Sequence, residues 1–351
     1  YDYGREHMGV PSAEQDVEPI PQARVLFYDL LFIEDCREKR VWLSACGQTE
    51  DAEALLARFR RDIERGMEEG FPALPDAHAT KPVTVRPNFE KEEYKAAVAS
   101  MIRYIIEGDI YIANMTQRLD VVSDREPLAV FEHLRTHNPS PFGAYLDCGD
   151  HQIICASPER FLRLRGGVVE TRPIKGTRKR GETPEEDEAL RWELEQSEKD
   201  KSELLMIVDL ERNDLNRVCR PGSVEVTELF TVETYATVFH LVSNIRGELA
   251  QGSGVTDLLR AAFPGGSITG APKYRAMEII DELEHGRRGL YTGSIGYLTL
   301  DGECDLNIVI RTALHRDGRY HLGVGGGITS ESDLEFEYEE TLQKAKAVLE
   351  A

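Results

Sequence analysis

The order of strand-like and helix-like segments is the feature that most constrains the fold of this chain. Short runs rich in β-branched and aromatic residues predict strands at 110–122, 143–147, 151–156, 160–164, 168–171, 223–229, 238–248, 290–299, 304–314 and 319–324. Helical spacing predicts helices at 127–136, 184–212, 255–262, 272–284 and 331–350. The strands and helices come in blocks without a regular βαβ alternation. This order predicts an α+β protein, a β-sandwich of large sheets flanked by helices, and not a doubly wound or barrel fold.

The N-terminal part predicts a smaller set of elements. Segments 23–33 and 40–45 are predicted to pair as strands, and 50–69 to form an amphipathic helix. A further helix is predicted from a cap at Asn88 to Gly108. Since the sequence opens at Tyr1 without Met, we expect it to begin inside a longer protein. We therefore divide the chain into an N-terminal segment, 1–84, truncated and completing the sheet, and a main domain, 85–351.

Composition and charge exclude several classes of partner. The chain has 351 residues, of which 41% are hydrophobic, and a net charge of −21. Such a charge argues against binding to nucleic acid or to an anionic membrane, so an anionic substrate would need local cations or a metal. The six cysteines are scattered without a CxxC pair, and we find neither a signal peptide nor an apolar run that could span a bilayer. These features predict a cytoplasmic protein.

The segment Arg172–Arg180, RPIKGTRKR, carries a candidate nucleophile. Lys175 lies between Pro173, which restricts the backbone, and Gly176, which allows close approach to a ligand. Four more cations lie within five residues of it, and like charges disfavour the ammonium form. A neutral lysine is a nucleophile. The alternative from these residues alone is a solvated basic loop.

Two predicted helices carry carboxylates at helical spacing. Asp200 and Glu203 are three residues apart, as are Glu337 and Glu340, so each pair lies on one helix face. Paired carboxylates without nearby His or Cys suit Mg²⁺. The alternative is that both pairs lie on ordinary solvated faces.

Two glycine-rich segments indicate anion binding. Phe263–Lys273, FPGGSITGAPK, precedes a helix that Pro272 is well placed to start. Gly323–Ile328, GVGGGI, follows a strand and precedes the acidic last helix. Glycines leave backbone N–H groups free near a helix N-terminus, which attracts carboxylates or phosphates. Either segment could also be a simple turn.

Taken together, these motifs resemble the chorismate-utilising enzymes over roughly residues 85–350. The matching segments, in order, are SPERF at 157–161, RPIKGTRKRG at 172–181, MIVDLERNDLNRV at 206–218, FHLVSNIRG at 239–247, FPGGSITGAPK, YTGSIGY at 291–297, NIVIRTA at 307–313, and GVGGGI followed by EYEET. The resemblance implies the chorismate-binding fold of anthranilate synthase component I, with 85–351 as the catalytic domain.

Two positions distinguish the branches of this family. Anthranilate-forming members resemble PIAGT, whereas members that form 4-amino-4-deoxychorismate resemble PIKGT, in which the lysine is understood to attack ring carbon C2 of chorismate. Isochorismate- and salicylate-forming members carry a water-activating lysine at the position of Ile112, which cannot deprotonate water. The amide-forming branches have glutamine there, so Ile112 is a departure. The resemblance favours the aminodeoxychorismate branch of folate biosynthesis, with an anthranilate-forming enzyme or a non-catalytic subunit as alternatives.

The resemblance also implies roles for individual residues. Lys175 would be the nucleophile and Glu159 the acid that protonates the departing C4 hydroxyl. Mg²⁺ would be held by Glu203 and Glu340, with Asp200 and Glu337 behind them. The expected substrate-binding residues are Tyr291, Arg311 and Gly325, Gly326 and Gly327 at the enolpyruvyl carboxylate, Lys344 near them, Thr269 and Gly270 at the ring, and His240 at the ring carboxylate. His240 could instead be a core histidine bonded to backbone.

The family's ammonia donor is also implied. The resemblance suggests a separate glutamine amidotransferase subunit, because no cysteine of this chain lies in a Gly-Cys-Gly turn. The expected partners are therefore chorismate and that subunit, with neither nucleic acid nor membrane.

Overall fold

A computed structural model describes residues 1–12, 14, 18–70 and 83–351. The chain divides into two units, one formed by Tyr1–Gln22 with Asp76–Ala351 and the other by Ala23–Pro75. The domain boundary predicted between residues 84 and 85 stays a prediction. No helix in the described part of the chain is long and apolar enough to cross a membrane.

The smaller unit contains a hairpin and one helix. Strands β1 (Leu30–Asp35) and β2 (Arg40–Ala45) pair antiparallel, with Leu30 opposite Ala45. Helix α2 (Ala52–Glu69) starts at Asp51, whose carboxylate accepts a hydrogen bond from the Ala54 amide at 3.0 Å. The predicted hairpin and helix are present, although the first strand begins seven residues later than expected.

The larger unit contains the remaining elements. Its helices are α1 (Asp2–His7), α3 (Lys91–Glu107), α4 (Pro127–His137), α5 (Pro184–Gln196), α6 (Glu198–Asn216), α7 (Val255–Ala262), α8 (Lys273–Leu283) and α9 (Leu334–Glu350). Its strands are β3 (Thr84–Pro87), β4 (Ile112–Val122), β5 (Phe142–Asp147), β6 (Gln152–Ser157), β7 (Arg160–Arg165), β8 (Val168–Arg172), β9 (Ile174–Lys179), β10 (Glu225–Thr234), β11 (Val238–Glu248), β12 (Gly270–Ala271), β13 (Gly296–Leu298), β14 (Cys304–Asn307), β15 (Thr312–Arg316) and β16 (Arg319–Ile328).

Within the described residues, these strands form two seven-stranded sheets. One has the order β10-β11-β8-β7-β14-β13, with β9 also pairing with β11. The other has the order β12-β4-β16-β15-β6-β5, with β3 also pairing with β4. The pairings are antiparallel, and helices cover the sheets, so the predicted α+β class with large sheets flanked by helices is confirmed.

Two element predictions are corrected, and one strand lies where none was predicted. The segment RPIKGTRKR contains strand β9, which pairs with β11 so that Lys175 lies opposite Leu241. Strands predicted at 290–299 and 304–314 are interrupted, leaving β13, β14 and β15. Asn88 does not cap α3, because its side chain accepts from the Arg118 amide and donates to the His285 carbonyl. Glu90 caps the helix instead, and Gly108 ends it in the left-handed conformation, as expected.

The helix predicted at 184–212 is two helices that meet at Ser197. Ser197 ends α5 and starts α6, and its hydroxyl accepts a hydrogen bond from the Asp200 amide at 3.3 Å. Since neither Pro nor Gly marks the break, periodicity alone could not locate it. The break sets the direction in which α6 presents Asp200 and Glu203.

We predict that Ser197→Ala lowers the free energy of unfolding by about 1 kcal/mol, because it removes this cap. Chemical denaturation measures the change, and Ser197→Asp, which retains a capping oxygen, is the control. Equal stability of Ser197→Ala and wild type would contradict the capping role.

Candidate active site

The four cations around Lys175 are each paired with carboxylates. The pairs are Arg172 with Glu228 and Glu233, Arg178 with Glu193 and Asp200, Lys179 with Glu186, and Arg180 with Asp187, at 2.6 to 3.6 Å. These acids offset the four cations, so the cations do not act on Lys175 unopposed. The Lys175 amine instead donates to the Ser267 carbonyl at 3.2 Å.

Gly176 lets β9 lie directly against α6. Its backbone has φ +74°, and a Cβ placed there would lie 2.8 Å from the Asp200 carboxyl carbon. Glycine is the residue that tolerates both constraints. The approach of α6 brings Glu203 close enough for the charge of Lys175 to act on it.

Glu159 lies immediately before β7 and is 4% exposed. Burial raises the pKa of its carboxyl, while the Ser267 hydroxyl, the Lys175 charge and the backbone at Ile174 oppose this effect. A carboxyl held in this way keeps its proton to a higher pH than an exposed glutamate. It therefore has the environment that a general acid requires.

The glycines of β16 leave room for the charged side chains of three other elements. A Cβ on Gly326 would lie 2.7 Å from Glu340 Oε2 and 3.2 Å from Glu337 Oε2. A Cβ on Gly327 would lie 3.2 Å from Lys175 Nζ and 3.6 Å from Glu203 Oε2. The structure thus brings the candidate nucleophile and the carboxylates of α6 and α9 together over two adjacent backbone positions.

Gly325 has a different neighbourhood. A Cβ there would lie 2.4 Å from the Met115 carbonyl and 2.6 Å from the Thr116 side chain on the paired strand β4. The Gly325 carbonyl accepts a hydrogen bond from Lys344 at 2.9 Å. Its glycine is therefore required by the packing of β16 on β4, and its carbonyl helps to hold Lys344.

The candidate metal-binding carboxylates of α6 and α9 repel one another, and two of them, Glu203 and Glu337, are buried. Burial raises the pKa of Glu203, the charges of Lys175 and Lys199 oppose this effect, and the charges of Asp200 and Glu340 add to it. Burial also raises the pKa of Glu337, which accepts from the Ser332 hydroxyl at 2.7 Å. Such repulsion is relieved when a cation binds among the oxygens.

Lysines partly supply that positive charge. Lys344 bonds Glu340 at 2.7 Å, and Lys199 lies 3.8 Å from Glu337. Among the residues that the structure describes, no three His, Cys, Asp or Glu side chains are close enough as they stand to hold a metal ion. The donor chemistry, all carboxylate oxygen, nevertheless fits a hard divalent cation such as Mg²⁺.

Left-handed backbone occurs at Arg311 and at the residue that follows Tyr291. Arg311 has φ +49°, and Thr292, next to Tyr291, has φ +59°. Left-handed backbone is costly for residues other than glycine and accumulates at functional sites. Burial lowers the pKa of Arg311, and the nearby Glu159 carboxyl opposes this effect. Among the described residues its guanidinium has no assigned hydrogen bond or ion pair, so it is available to an anion.

His240 is a neutral, fixed imidazole. Burial, aided by the charge of Arg311, lowers its pKa to about 3. Its Nδ1 lies 2.9 Å from the Thr177 hydroxyl, and the backbone of Gly176 also bonds to the ring. His240 is therefore close to β9 and Arg311, and it is uncharged at neutral pH.

Thr269 and Gly270 lie between α7 and α8, where Gly270 begins strand β12. The Thr269 hydroxyl donates to the Gly265 carbonyl at 2.9 Å, so it stabilises its own loop. A Cβ on Gly270 would lie 2.2 Å from the Ile112 carbonyl. These contacts fix the loop against β4, and the predicted ring-binding role of the two residues stays a prediction.

Sequence reasoning missed a buried acid behind the site. Glu211 lies eight residues after Glu203 on α6, is 7% exposed, and accepts from the Thr171 hydroxyl at 2.8 Å. Burial raises the pKa of Glu211 to about 8. The neighbouring Lys273 ammonium bonds Asp214 and the carbonyls of Ala262 and Pro264, which uses its three donors. The signal for Glu211 in the sequence was its spacing of eight residues from Glu203, which places both on one side of the helix.

The chain belongs to the family of chorismate binding enzymes, whose model matches residues 1–350. Two named relatives differ in their stated activity. Anthranilate synthase component 1 1 of Haloarcula marismortui is 42% identical over 361 aligned residues, which cover 100% of this chain and 74% of the relative. Aminodeoxychorismate synthase component 1 of Bacillus subtilis is 41% identical over 354, which cover 100% and 75%.

A solved structure agrees with the fold. The crystal structure of anthranilate synthase component I from Streptococcus pneumoniae TIGR4 superposes with a TM-score of 0.89 at 32% identity. The match covers 99% of this chain and 78% of that one. The expected chorismate-binding fold of the anthranilate synthase component I type is therefore confirmed.

We predict that Glu211→Gln stabilises the protein increasingly as pH rises. Because the folded-state pKa of about 8 exceeds the ordinary 4.5, wild type loses stability between these values as pH rises. The loss is about 1.4 kcal/mol per pH unit, and the Gln variant lacks it. Denaturation at pH 4.5, 6 and 8 measures the difference.

The control is Glu185→Gln, an exposed position on α5. Its stability should follow that of wild type at each pH. A constant difference between Glu211→Gln and wild type across this range would show that Glu211 is not held neutral by the fold.

Proposed function

We propose that this protein converts chorismate and ammonia into 4-amino-4-deoxychorismate. The observation that carries the proposal is the position of the Lys175 amine beside Glu203 and within the electrostatic reach of Glu159. The named relatives at 41% and 42% identity include both an aminodeoxychorismate synthase and an anthranilate synthase. The lysine at position 175 favours the first activity, because the resemblance places alanine there in anthranilate-forming enzymes.

The chemistry requires two displacements. The free amine of Lys175 attacks C2 of chorismate while Glu159 gives its proton to the C4 hydroxyl, which leaves as water. Ammonia then adds at C4, and the bond from C2 to Lys175 breaks, which returns the free amine. The new C4 ammonium gives one proton to the Glu159 carboxylate. The sum is chorismate plus ammonia to aminodeoxychorismate plus water, with the enolpyruvyl group retained.

Other residues bind and orient the substrate in this proposal. Arg311, whose guanidinium is uncommitted, and Tyr291 receive the enolpyruvyl carboxylate near Gly325–Gly327. His240 lies beside the ring carboxylate as an uncharged imidazole. Thr269 and Gly270 border the ring. Ile112 Cδ1 lies 3.6 Å from the Cβ position on Gly327, close to Lys175, and offers water no base there.

Mg²⁺ fits the carboxylates over Gly326 and Gly327. Glu203 and Glu340 would hold it, with Asp200 and Glu337 behind them and Lys344 alongside. The ion would supply positive charge for a substrate carboxylate. Ammonia would come from a separate glutamine amidotransferase subunit, a proposal that the "component 1" names of the relatives support.

One incubation tests the activity. Protein, chorismate, Mg²⁺ and ammonium at alkaline pH are combined, and the products are identified by mass spectrometry. Aminodeoxychorismate supports the proposal. Anthranilate with pyruvate would instead establish the alternative enzyme, and no turnover would favour a non-catalytic subunit.

We predict that Lys175→Ala and Lys175→Arg both lose aminodeoxychorismate formation, because neither residue supplies a nucleophilic amine. If Lys175 only bound a substrate carboxylate, arginine would restore much of the activity. Intact-protein mass spectrometry after a denaturing quench, in chorismate without ammonia, should detect an adduct on wild type alone. Rescue by arginine without any adduct would exclude the nucleophile.

We predict that Glu340→Gln lowers Mg²⁺-dependent turnover by roughly 100-fold or more while the fold stays intact, because a metal ligand is lost. Steady-state rates over a Mg²⁺ titration measure this. Glu339→Gln is the matched control, since Glu339 is the next residue on α9 and pairs with Lys91 at 3.1 Å. Near-normal activity of Glu340→Gln in Mg²⁺ would exclude the ligand role.

A further inference from the structure

The loop between α7 and α8 is held by cations that bind its carbonyl groups. Lys273 binds the carbonyls of Ala262 and Pro264 at 2.9 and 2.8 Å. Lys175 binds that of Ser267 at 3.2 Å, and Arg288 binds that of Ile268 at 2.7 Å. The candidate nucleophile Lys175 therefore bonds to the carbonyl of Ser267, and Arg288 bonds to the carbonyl of the next residue, Ile268.

Arg288 is saturated by internal partners. Its side chain is 3% exposed, and its Nε and Nη2 donate to Glu284 at 2.8 and 2.6 Å. Nη2 also donates to the Asn114 carbonyl at 2.6 Å, and Nη1 reaches the Thr292 hydroxyl at 3.4 Å. With Ile268, these contacts occupy all five N–H donors of a guanidinium. Arg288 therefore has no donor left for a ligand.

The contacts of Arg288 join three segments of the candidate site. Asn114 lies on β4, Ile268 precedes Thr269, and Thr292 follows Tyr291. Glu284 adds a fourth connection, because it accepts from the Thr116 amide at 2.9 Å. The planar guanidinium of an arginine can donate hydrogen bonds to all these acceptors at once, whereas a lysine ammonium has three donors and no fixed plane.

We propose that Arg288 is a positioning residue, which fixes the Ser267–Ile268 carbonyls so that the Lys175 amine is held at its reacting position. This inference rests on the proposed nucleophilic role of Lys175. A small displacement of a reacting group costs rate and leaves substrate affinity largely unchanged, because the barrier depends on alignment. Loss of Arg288 should therefore lower kcat more than it raises KM.

Two variants test the proposal. Arg288→Lys keeps the charge and removes the planar fork. Arg288→Met combined with Glu284→Gln removes the ion pair but keeps an acceptor for the Thr116 amide. We expect each variant that folds to show kcat lowered roughly 10- to 100-fold, with KM changed less than about 3-fold. If the double variant does not fold, Arg288→Lys decides.

A matched control separates positioning from general loss of stability. Arg163 and Glu170 form a 2.6 Å pair between β7 and β8. Arg163→Met combined with Glu170→Leu removes an ion pair that does not touch the loop, so its kcat should stay near the wild-type value. A similar fall in kcat in this control would overturn the proposal.

A second readout does not depend on turnover. Trace labelling with acetic anhydride, followed by peptide mass spectrometry, gives the reactivity of Lys175 relative to the exposed Lys346. We expect Lys175 to react faster in the Arg288 variants, because its carbonyl partner is no longer fixed. Unchanged kcat and unchanged labelling would refute positioning. Absence of wild-type turnover would refute only the proposed function, since the labelling comparison still decides the role of Arg288.

Discussion

The site depends on the bare backbone of Gly326 and Gly327. Two antiparallel neighbours hold β16 in place, and side chains at these positions would occupy the volume that Glu337, Glu340, Glu203 and Lys175 now share. Three separate elements, β9, α6 and α9, can therefore direct charged groups to one place. The absence of side chains at Gly326 and Gly327 thus makes room for the charged groups of the candidate site.

Electrostatic compensation decides which groups remain free to act. The cations flanking Lys175 are paired with acids, Lys273 is bonded to Asp214 and two carbonyls, and Arg288 is saturated. Arg311 differs from these cations, because within the described residues its guanidinium has neither a hydrogen bond nor an ion pair. The charge of Glu159 acts on this guanidinium, and in the proposed function a carboxylate of the substrate would add a direct partner.

The fold class and the motifs of the site could be predicted from the sequence more accurately than individual strands and helices. Strongly periodic or β-branched segments such as α7 and β11 were located within a residue, because their patterns are dictated by burial. Strand β9 was not located, because closely spaced cations on a strand resemble a polar loop until their acidic partners are known. The break at Ser197 carries no helix-breaking residue. Glu211 and Arg288 were missed because burial of a charged side chain depends on contacts between segments far apart in the sequence.

The neutral state of Glu211 has a consequence for how ammonia could reach the site. Ammonium ions yield mostly free ammonia only in alkaline solution, and at such pH the stability that Glu211 costs the fold between pH 4.5 and about 8 has been lost in full. Conditions that favour the free nucleophile thus work against the protein that would use it. If the proposed function holds, delivery of ammonia by a second subunit would let the enzyme work near neutral pH, where Glu211 keeps its proton.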